Sequence, residues 1–431
     1  MEICMLKGGV NMIAPKLRFK ADDGSAFPDW EEKKINDIAT CFAGATPSTK
    51  IPEYWEDGTI QWMSSGEVNN GQIFETEKRI SKLGFDKCST KMVKPNTVVI
   101  ALAGQGKTRG MVAITRTSLC TNQSLCAIET NTDICDDYLY QYLQLQYNNL
   151  RLISSGDGTR GGLNLKLIGN YSVSIPSLSE QQKIADFLST IDTIIEKQRA
   201  TVSAWEERKK GVMQKLFSQE VRFKADDGSD FPDWEEKSFV NTFDSLNNST
   251  FSRDCLNYEN GSVKYIHYGD ILVKYNSSVD VCDAIVPFVN EDLDCERFAI
   301  LQDGDIVIAD TAEDDTVGKV IEIENTSNVK TIAGLHTIAC RPKEKFASKY
   351  LGYYMNSDEY HNQLRPYMQG IKVTSISKSN IALTKIMVPS LPEQQKIADC
   401  LSALDTVIQK QKETLEKWQE LKKGLLQQMF V

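Results

Sequence analysis

The sequence predicts an α+β fold in which two α+β domains are separated by two long antiparallel helices, which form a coiled-coil rod about a pseudo-two-fold axis. Two repeats lead to this fold class. Residues 176–218 and 389–431 are copies of one helical sequence and agree at 25 of 43 positions. A shorter arm segment, 18–33, returns as 222–237 with 15 of 16 positions identical. The chain therefore contains two repeats, each of which consists of an arm, a variable region and a helix in that order.

Each repeated helix has a marked start. Ser177 with Glu180, and Ser390 with Glu393, have the spacing of a capping box. In that motif the serine hydroxyl accepts a bond from a free backbone N–H and the carboxylate reaches back to the cap residue. The apolar arm residues, such as Trp30, are expected to pack around the helix ends.

Inside each copy, two positions of a heptad form a seam, the pattern of a helix that packs against a partner helix. The first copy fills these positions with Ile184, Ile191, Gln198, Trp205, Val212, Leu188, Ile195, Val202, Lys209 and Leu216. The second copy fills them with Ile397, Leu404, Gln411, Trp418, Leu425, Leu401, Ile408, Leu415, Lys422 and Met429. We expect the two copies to pair with each other, and the matched polar residues in the seams to fix the register.

The two variable regions share a skeleton of short strands. Segments of the first region that begin at 61, 96 and 121 align with segments of the second that begin at 264, 304 and 333. Each is a β-branched run bounded by Gly, Asn or Asp, which is typical of strands. A tyrosine-rich helical segment follows in each region, so each is predicted to be an α+β domain with its own core.

These patterns divide the chain of 431 residues, which is longer than the ~250 to 300 residues that one core usually serves. The predicted segments are an N-terminal extension with the first arm (1–34), the first variable domain (35–175), the first spacer helix (176–219), the second arm (220–237), the second variable domain (238–388) and the second spacer helix (389–431). The first eleven residues fit no later pattern, and one hypothesis is that translation starts at Met12 and not at Met1.

The composition limits the classes of function. Eleven cysteines without a CxxC pair and three histidines predict reduced thiols and no metal site. No apolar run is long enough to span a membrane and no signal-peptide pattern is present, so we expect a cytoplasmic protein without a membrane partner.

Two unlike domains on a rod of fixed length suit a target with two unequal half-sites. About 38 helical residues at ~1.5 Å each span ~57 Å. Equivalent faces of the DNA major groove recur every ~34 to 36 Å. Double-stranded DNA is therefore the predicted target, with the bases between the half-sites spanned but not read.

The chain resembles the specificity (S) subunit of type I restriction-modification systems. The resemblance lies in the two helix starts of the form PSLxEQQKIAD and in the G(E/D)(V/I) strand of each variable domain, and it covers nearly the whole chain from about Leu17. It implies two target-recognition domains, each of which reads half of a split sequence. It also implies helices that dock two methyltransferase (M) subunits and, through them, the restriction and translocation (R) subunit.

This resemblance implies a non-catalytic subunit with no cofactor of its own. S-adenosylmethionine, ATP and Mg would belong to the partner subunits, and no catalytic or metal-binding residue is predicted here. The repeated polar helix starts are candidates for docking the methyltransferase, although a simple polar first turn explains them too. They comprise Glu180, Gln181, Gln182, Lys183, Glu393, Gln394, Gln395 and Lys396.

Candidate DNA-binding residues come from polar positions on predicted loops and from a row of lysines. In the first domain they are Ser64, Ser65, Asn69, Asn70, Lys78, Arg79, Lys82, Gln105, Lys107, Thr108, Arg109, Arg160 and Asn164. In the second domain they are His267, Tyr268, Lys274, Gln369, Lys372 and Thr374. Arg and Lys suit guanine and Gln suits adenine, and any of them can simply hold phosphate.

The charge of the chain argues against tight DNA binding by this subunit alone. The net charge is −10 and the pI is about 5.1. The first variable domain balances 13 basic against 13 acidic residues, whereas the second has 14 against 21. We therefore expect tight binding only when the methyltransferase subunits add positive surface.

Two other functions remain open from the sequence. The acidic balance and paired helices suit a cytosolic scaffold that binds proteins. The segment ALAGQGKT at 101–108 matches a relaxed phosphate-binding loop and would suit an NTPase built on Lys107. A true phosphate-binding loop opens a helix, whereas the residues that follow here look like a strand, so a basic hairpin is the favoured interpretation.

Overall fold

The computed structural model of the chain describes residues 15–104, 106–154, 162–370 and 373–430. These residues form two compact units. Unit 1 consists of the chain up to Arg199 together with the residues from Glu413 onward, and unit 2 consists of Ala200–Lys412. Each of the two long helices therefore contributes residues to both units. The segment boundaries predicted from the sequence stay predictions.

Unit 1 is built on two sheets. Its strands are β1 (Glu31–Lys34), β2 (Ala39–Ala43), β3 (Ile60–Met63), β4 (Gln72–Ile73), β5 (Lys78–Ile80), β6 (Met92–Val93), β7 (Val98–Ala101), β8 (Val112–Thr115), β9 (Leu119–Thr121), β10 (Leu125–Thr130) and β11 (Ser172–Ile175). One sheet has the order β2-β10-β7-β8-β4 and the other β5-β3-β9-β6, while β1 pairs with β11. Buried β-branched residues of β7, β8 and β10 fill both faces of the larger sheet.

Six α-helices begin in the described part of this unit, and all but the second pack on one side of the larger sheet. They are α1 (Ile35–Ile38), α2 (Lys82–Asp86), α3 (Asp136–Leu145), α4 (Tyr147–Leu152), α5 (Leu165–Gly169) and α6 (Leu178–Phe217). Helices α3 and α4 are the tyrosine-rich segment, whose rings are mostly buried in the core because α3 packs against β7 and β8.

Unit 2 repeats this plan. Its strands are β12 (Glu235–Ser238), β13 (Phe243–Ser245), β14 (Leu256–Asn257), β15 (Val263–Ile266), β16 (Ser278–Asp280), β17 (Phe288–Val289), β18 (Ile306–Ala309), β19 (Thr311–Ala312), β20 (Val320–Glu324), β21 (Lys330–Ala333), β22 (Thr337–Pro342), β23 (Thr374–Ser375) and β24 (Lys385–Val388). Its helices are α7 (Phe239–Thr242), α8 (Tyr268–Val273), α9 (Tyr350–Tyr354), α10 (Asp358–Leu364), α11 (Lys378–Ile381) and α12 (Leu391–Met429).

The five-stranded sheets of the two units have corresponding orders. In unit 2 the order is β13-β22-β18-β20-β16, which matches β2-β10-β7-β8-β4 strand for strand. The predicted segments at 61, 96 and 121 overlap β3, β7 and β10, and those at 264, 304 and 333 overlap β15, β18 and β22. The predicted α+β class, with two sheet-containing domains and two long helices, is confirmed.

Within each unit the two long helices run antiparallel. In unit 1, Asp192 of α6 bonds to Lys422 of α12 at 2.6 Å. In unit 2, Lys209 of α6 bonds to Asp405 of α12, also at 2.6 Å. The two ion pairs occupy equivalent places in the repeat, because 192 and 405, like 209 and 422, differ by 213 positions. The polar seam residues Lys209 and Lys422 thus have acidic partners on the opposite helix, as a role in register requires.

The C-terminal end of each helix completes the core of a unit. Phe430, which follows α12, lies edge-on to Tyr138 and Tyr142 with ring centroids 5.5 Å away in both cases. In unit 2, Phe217 at the end of α6 lies against Tyr350 at 6.2 Å and Tyr354 at 5.6 Å. Both phenylalanines are buried. Each sheet domain therefore depends on the helix that belongs to the other repeat.

This dependence predicts that Phe430→Ala lowers the free energy of unfolding by about 3 to 5 kcal/mol, the range for truncating a buried phenylalanine. Urea unfolding of the full chain, followed by circular dichroism, measures the change. Leu421→Ala on the same helix is the matched control, because Leu421 is 48% exposed and its loss should change little. Equal effects of the two substitutions would contradict the packing described.

Candidate nucleic-acid interface

In unit 1, two parallel strands end at one edge of the smaller sheet. Strand β3 pairs with β9 in parallel, with Met63 beside Thr121. Parallel strands end at the same edge of a sheet, so Ser64 after β3 and Asn122 and Gln123 after β9 emerge side by side. Gln123 also accepts a hydrogen bond from the Thr46 hydroxyl at 2.6 Å. These residues form the floor of what we call edge 1.

The predicted basic hairpin lies at edge 1. It connects β7 and β8, which are antiparallel, and Leu102 at its start donates its N–H to Ser124 O at 2.8 Å. Two side chains of α4 hold its tip: the Tyr147 hydroxyl donates to Lys107 O and Arg151 donates to Gly106 O, both at 2.6 Å. The Lys107 side chain is thereby left exposed on a braced loop.

The geometry of this hairpin also tests whether the segment 101–108 is a phosphate-binding loop. A phosphate-binding loop leads from a strand into a helix whose N-terminal N–H groups hold the phosphates. Here Ala101 ends β7 and the chain returns as the antiparallel strand β8. Val98 pairs with Ile114, and Ile100 pairs with Val112. No helix follows the loop, so the NTPase interpretation of Lys107 is wrong.

The remaining first-domain candidates are not all brought together. Ser65, Asn69 and Asn70 lie in a 3-10 turn, Ser65–Asn70, directly after Ser64. Thr108 and Arg109 belong to the hairpin and are half-buried. Asn164 caps α5 by accepting the Leu167 N–H at 2.9 Å, beside Leu163, which donates to Leu102 O.

The lysine row runs away from edge 1. On β5, Lys78 lies opposite Trp62 and Arg79 lies opposite Gln61 of β3. Lys82 follows the other end of β5, which lies beside Ile60 at the start of β3. Lys82 bonds to Asp86 at 2.7 Å. The structure therefore places Lys82 at the opposite end of the sheet from Ser64. Gln105 and Arg160 lie outside the described residues.

Unit 2 has the equivalent edge, which we call edge 2. Strand β15 pairs with β21 in parallel, with Ile266 beside Ala333. His267 and Tyr268 follow β15, and His336 follows β21 after a two-residue turn. The three rings pack together, with centroids 4.8 Å apart for His267 and Tyr268 and 5.3 Å apart for Tyr268 and His336.

The loop after β18 completes edge 2. Asp310 lies 3.4 Å from His336 Nδ1, and the short strand β19 pairs with β23, which brings Thr374 opposite Ala312. Gln369 forms a backbone bridge to Ser375. Lys372 lies outside the described residues.

Lys274 lies in a polar network beside edge 2. It bonds to the buried carboxylate of Asp270 at 2.9 Å and to the Tyr258 hydroxyl at 3.0 Å. Arg253 bonds to the same two groups, at 2.9 Å and 2.7 Å. The pKa of Lys274 is raised mainly by its bond to Tyr258. The pKa of Arg253 is raised mainly by its bond to Asp270. Both cations are thus fixed in position beside His267.

The two edges differ in charge at corresponding loops. The unit 1 hairpin carries Lys107 and Arg109, whereas the matching loop of unit 2 exposes Glu313, Asp314 and Asp315. The two surfaces therefore suit different DNA sequences. Cations favour phosphates and the acceptor atoms of bases, whereas carboxylates favour the amino donors of bases.

Sequence reasoning missed several residues that the structure places at these edges. They are Thr46, Asn122, Gln123, Arg253, Asp310 and His336. Asn122, Gln123 and His336 lie at the polar starts of the aligned segments that begin at 121 and 333, and that signal could have found them. The others arrive through long-range packing.

The helix starts use their acidic residue internally. Glu180 is 0% exposed, and its carboxylate accepts bonds from Arg18 at 2.8 Å and 3.0 Å and from Trp30 Nε1 at 3.2 Å. Glu393 is equally buried and repeats this arrangement with Arg222 and Trp234. The arms therefore pack on the helix ends, as expected.

The predicted capping boxes are not formed. Glu180 cannot reach back to its cap residue, because Arg18 and Trp30 hold the carboxylate. The Ser177 hydroxyl is buried without a hydrogen-bond partner among the described residues, and so is that of Ser390. The helix starts are instead held by backbone bonds, such as the one from Glu180 N–H to Ser177 O at 2.9 Å.

The first glutamine of each start is internal as well. Gln181 accepts the Cys135 N–H at 2.8 Å and donates to Pro176 O at 2.9 Å, and Gln394 does the same with Ala347 and Pro389. Of the predicted docking residues, Glu180, Gln181, Glu393 and Gln394 are therefore buried. Gln182 and Gln395 are exposed, and Lys183 and Lys396 are half-buried and bond to Asp22 and Asp226 of the arms.

Two units of one topology, with unlike loops at corresponding edges and with helices shared between them, define a duplicated recognition protein. A family model described as the type I restriction modification DNA specificity domain matches residues 28–202 and 232–417. These matches cover most of the chain, which belongs to this family: it is a specificity subunit of the type I restriction-modification class, and catalysis lies in the partner subunits of such systems. The resemblance found in the sequence is confirmed.

One known relative and one solved structure match the chain over nearly its full length. The chain is 26% identical over 419 residues to the type I restriction enzyme MjaVIII specificity subunit of Methanocaldococcus jannaschii, covering 93% of this chain and 92% of the relative. It is 33% identical over 186 residues to the MjaIX specificity subunit of the same organism, covering 42% of each chain. The crystal structure of the S subunit from M. genitalium shares the fold at a TM-score of 0.54 and 15% identity, covering 97% of this chain and 99% of that one.

The described residues hold neither a cluster of metal ligands nor a membrane-spanning helix. No group of three or more metal-ligating side chains occurs within the described ranges. No helix in the part of the chain that the structure describes is long and apolar enough to cross a membrane.

The buried carboxylates make a testable prediction. Arg18→Ala should lower the free energy of unfolding by about 3 kcal/mol, because it leaves the Glu180 charge buried and unpaired. Adding Glu180→Leu to that variant should restore part of the loss, since an apolar side chain needs no counter-charge. Urea unfolding of the single and double variants gives the coupling. A double variant less stable than Arg18→Ala would show that the ion pair is not the source of the effect.

Proposed function

We propose that the chain recognises a bipartite DNA sequence with a fixed, unread spacer and directs a type I restriction-modification complex to it. The observation that carries this proposal is the pair of edges. Both are built from loops after corresponding strands, yet they carry different side chains, with a basic hairpin in unit 1 and three rings beside an acidic loop in unit 2. Each unit is then responsible for one half of the target.

The repeated helix starts suit two equal partners. Gln182 and Gln395 are exposed at equivalent places, each beside a lysine that ties the arm to the helix. We infer that these two surfaces each dock one methyltransferase subunit, and that the restriction and translocation subunit joins through the methyltransferase. S-adenosylmethionine, ATP and Mg are then bound by those partners, and the complex acts in the cytoplasm.

The protein scaffold is the second candidate. The acidic charge that suggested it, a net −10, also fits a subunit whose partners supply the positive surface for DNA. The family membership and the two polar edges favour the DNA-recognition function.

Methylome sequencing tests the proposal. The complete system is expressed in a host that lacks its own DNA methylation, and methylated bases are located by single-molecule sequencing. We expect one methylated motif made of two short specified halves separated by a constant number of unspecified bases. Deleting the gene for this chain should abolish that methylation while leaving the methyltransferase expressed.

Two results would contradict the proposal. A continuous motif without a spacer would remove the assignment of one half to each unit. Methylation that persists without this chain would show that another component selects the sequence, which is the outcome that the scaffold alternative predicts.

A further inference from the structure

His267 at edge 2 has its hydrogen-bonding state fixed by the backbone. Its Nδ1 atom lies 3.0 Å from the N–H of Gly269 and accepts that bond at the start of α8. A backbone N–H can only donate, so Nδ1 carries no proton. In a neutral imidazole the proton then resides on Nε2, and the ring presents a single donor on its other side.

The surroundings of His267 keep the ring neutral. Burial lowers its pKa, and the neighbouring Arg253 guanidinium lowers it further. Lys274 and His336 act in the same direction, and the Asp270 carboxylate acts against them. Both Arg253 and Lys274 bond to Asp270, so its negative charge is largely compensated. The acceptor at Nδ1 and the donor at Nε2 are therefore the state present at neutral pH.

The ring is also held in place. It stacks on Tyr268 with an interplanar angle of 30°, and Tyr268 in turn packs edge-on against His336 at 72°. A Cβ atom at position 269 would lie 3.3 Å from Nδ1 and 3.4 Å from Cε1, so glycine is what allows the backbone to come this close. A donor on a fixed ring is preorganised for a hydrogen bond of defined direction.

Base edges in the major groove differ in what they offer to such a donor. Guanine presents two acceptors, N7 and O6, whereas cytosine presents an amino donor in the same region. Adenine pairs its N7 acceptor with an amino donor, and thymine has one acceptor beside a methyl group. Among the purines, only guanine offers the Nε2–H donor acceptors without an amino donor beside them.

We propose that His267 is a specificity-determining residue that reads a guanine in the half-site of unit 2 through its Nε2–H, with Tyr268 and His336 as the positioning rings. This inference rests on the proposed function, since it names the base contact that one of the two edges makes. It separates two roles of one side chain: Nδ1 holds the start of α8 and Nε2 faces the DNA.

Two substitutions separate these roles. His267→Asn keeps an oxygen close to the position of Nδ1, and asparagine is a preferred residue at a helix start, so α8 remains capped. It removes the donor at Nε2. His267→Gln places an amide nitrogen close to the position of Nε2 together with an acceptor, the pair that suits adenine N7 and N6. Val273→Ala on the same helix is the control, because Val273 is 81% exposed and belongs to neither role.

The measurement is the methylated motif of the complete complex in a host without other methylation, with each base scored at every position. For His267→Asn we expect one guanine position to lose discrimination by roughly 5-fold, the lower end of the range for a bidentate base contact, because a single donor makes one hydrogen bond. His267→Gln should shift the same position towards adenine. Val273→Ala should keep the wild-type motif, and the half read by unit 1 should be unchanged in all variants.

The outcomes distinguish this inference from the function on which it rests. A wild-type complex that methylates no split motif would refute the proposed function itself. A wild-type split motif that both His267 variants reproduce unchanged would overturn the role of His267 alone. Loss of both halves in His267→Asn, with an unchanged melting temperature, would also overturn it, because a base contact in one unit affects one half.

Discussion

The structure depends on the exchange of helix ends between the two repeats. Phe430 completes the core of unit 1 and Phe217 that of unit 2, and each belongs to a helix that begins in the other unit. Neither repeat can therefore bury its own tyrosine-rich helix completely. This requirement explains why the helices stayed alike at 25 of 43 positions while the regions between them diverged.

The same constraint separates constant from variable parts of the molecule. The buried Glu180 and Glu393, with their arginine and tryptophan partners, fix the arms to the helix starts by the same bonds in both units. The strands that carry the edges also correspond one to one. The smaller sheets differ in their outer strands, and the loops at the two edges carry unlike side chains. A framework of this kind can change its recognised sequence without changing its core.

Local patterns in the sequence predicted the framework well. The heptad seams predicted both long helices, and β-branched runs predicted three strands in each unit, since both signals depend on neighbouring residues. The capping boxes failed because Arg18, 162 positions from Glu180, takes the carboxylate. The candidate edges were found only in part for the same reason. Arg253 reaches Asp270, and Tyr147 reaches the basic hairpin, through packing that no local pattern records.

The central proposal is that each unit reads one half of a split target. Exchange of residues 238–388 for the matching region of a family member with a known target, followed by methylome sequencing of the complete complex, tests this proposal most directly. We expect one half of the motif to be replaced by a half from the donor's target, while the other half and the number of spacer bases are retained. Replacement of both halves, or survival of the original motif, would contradict it.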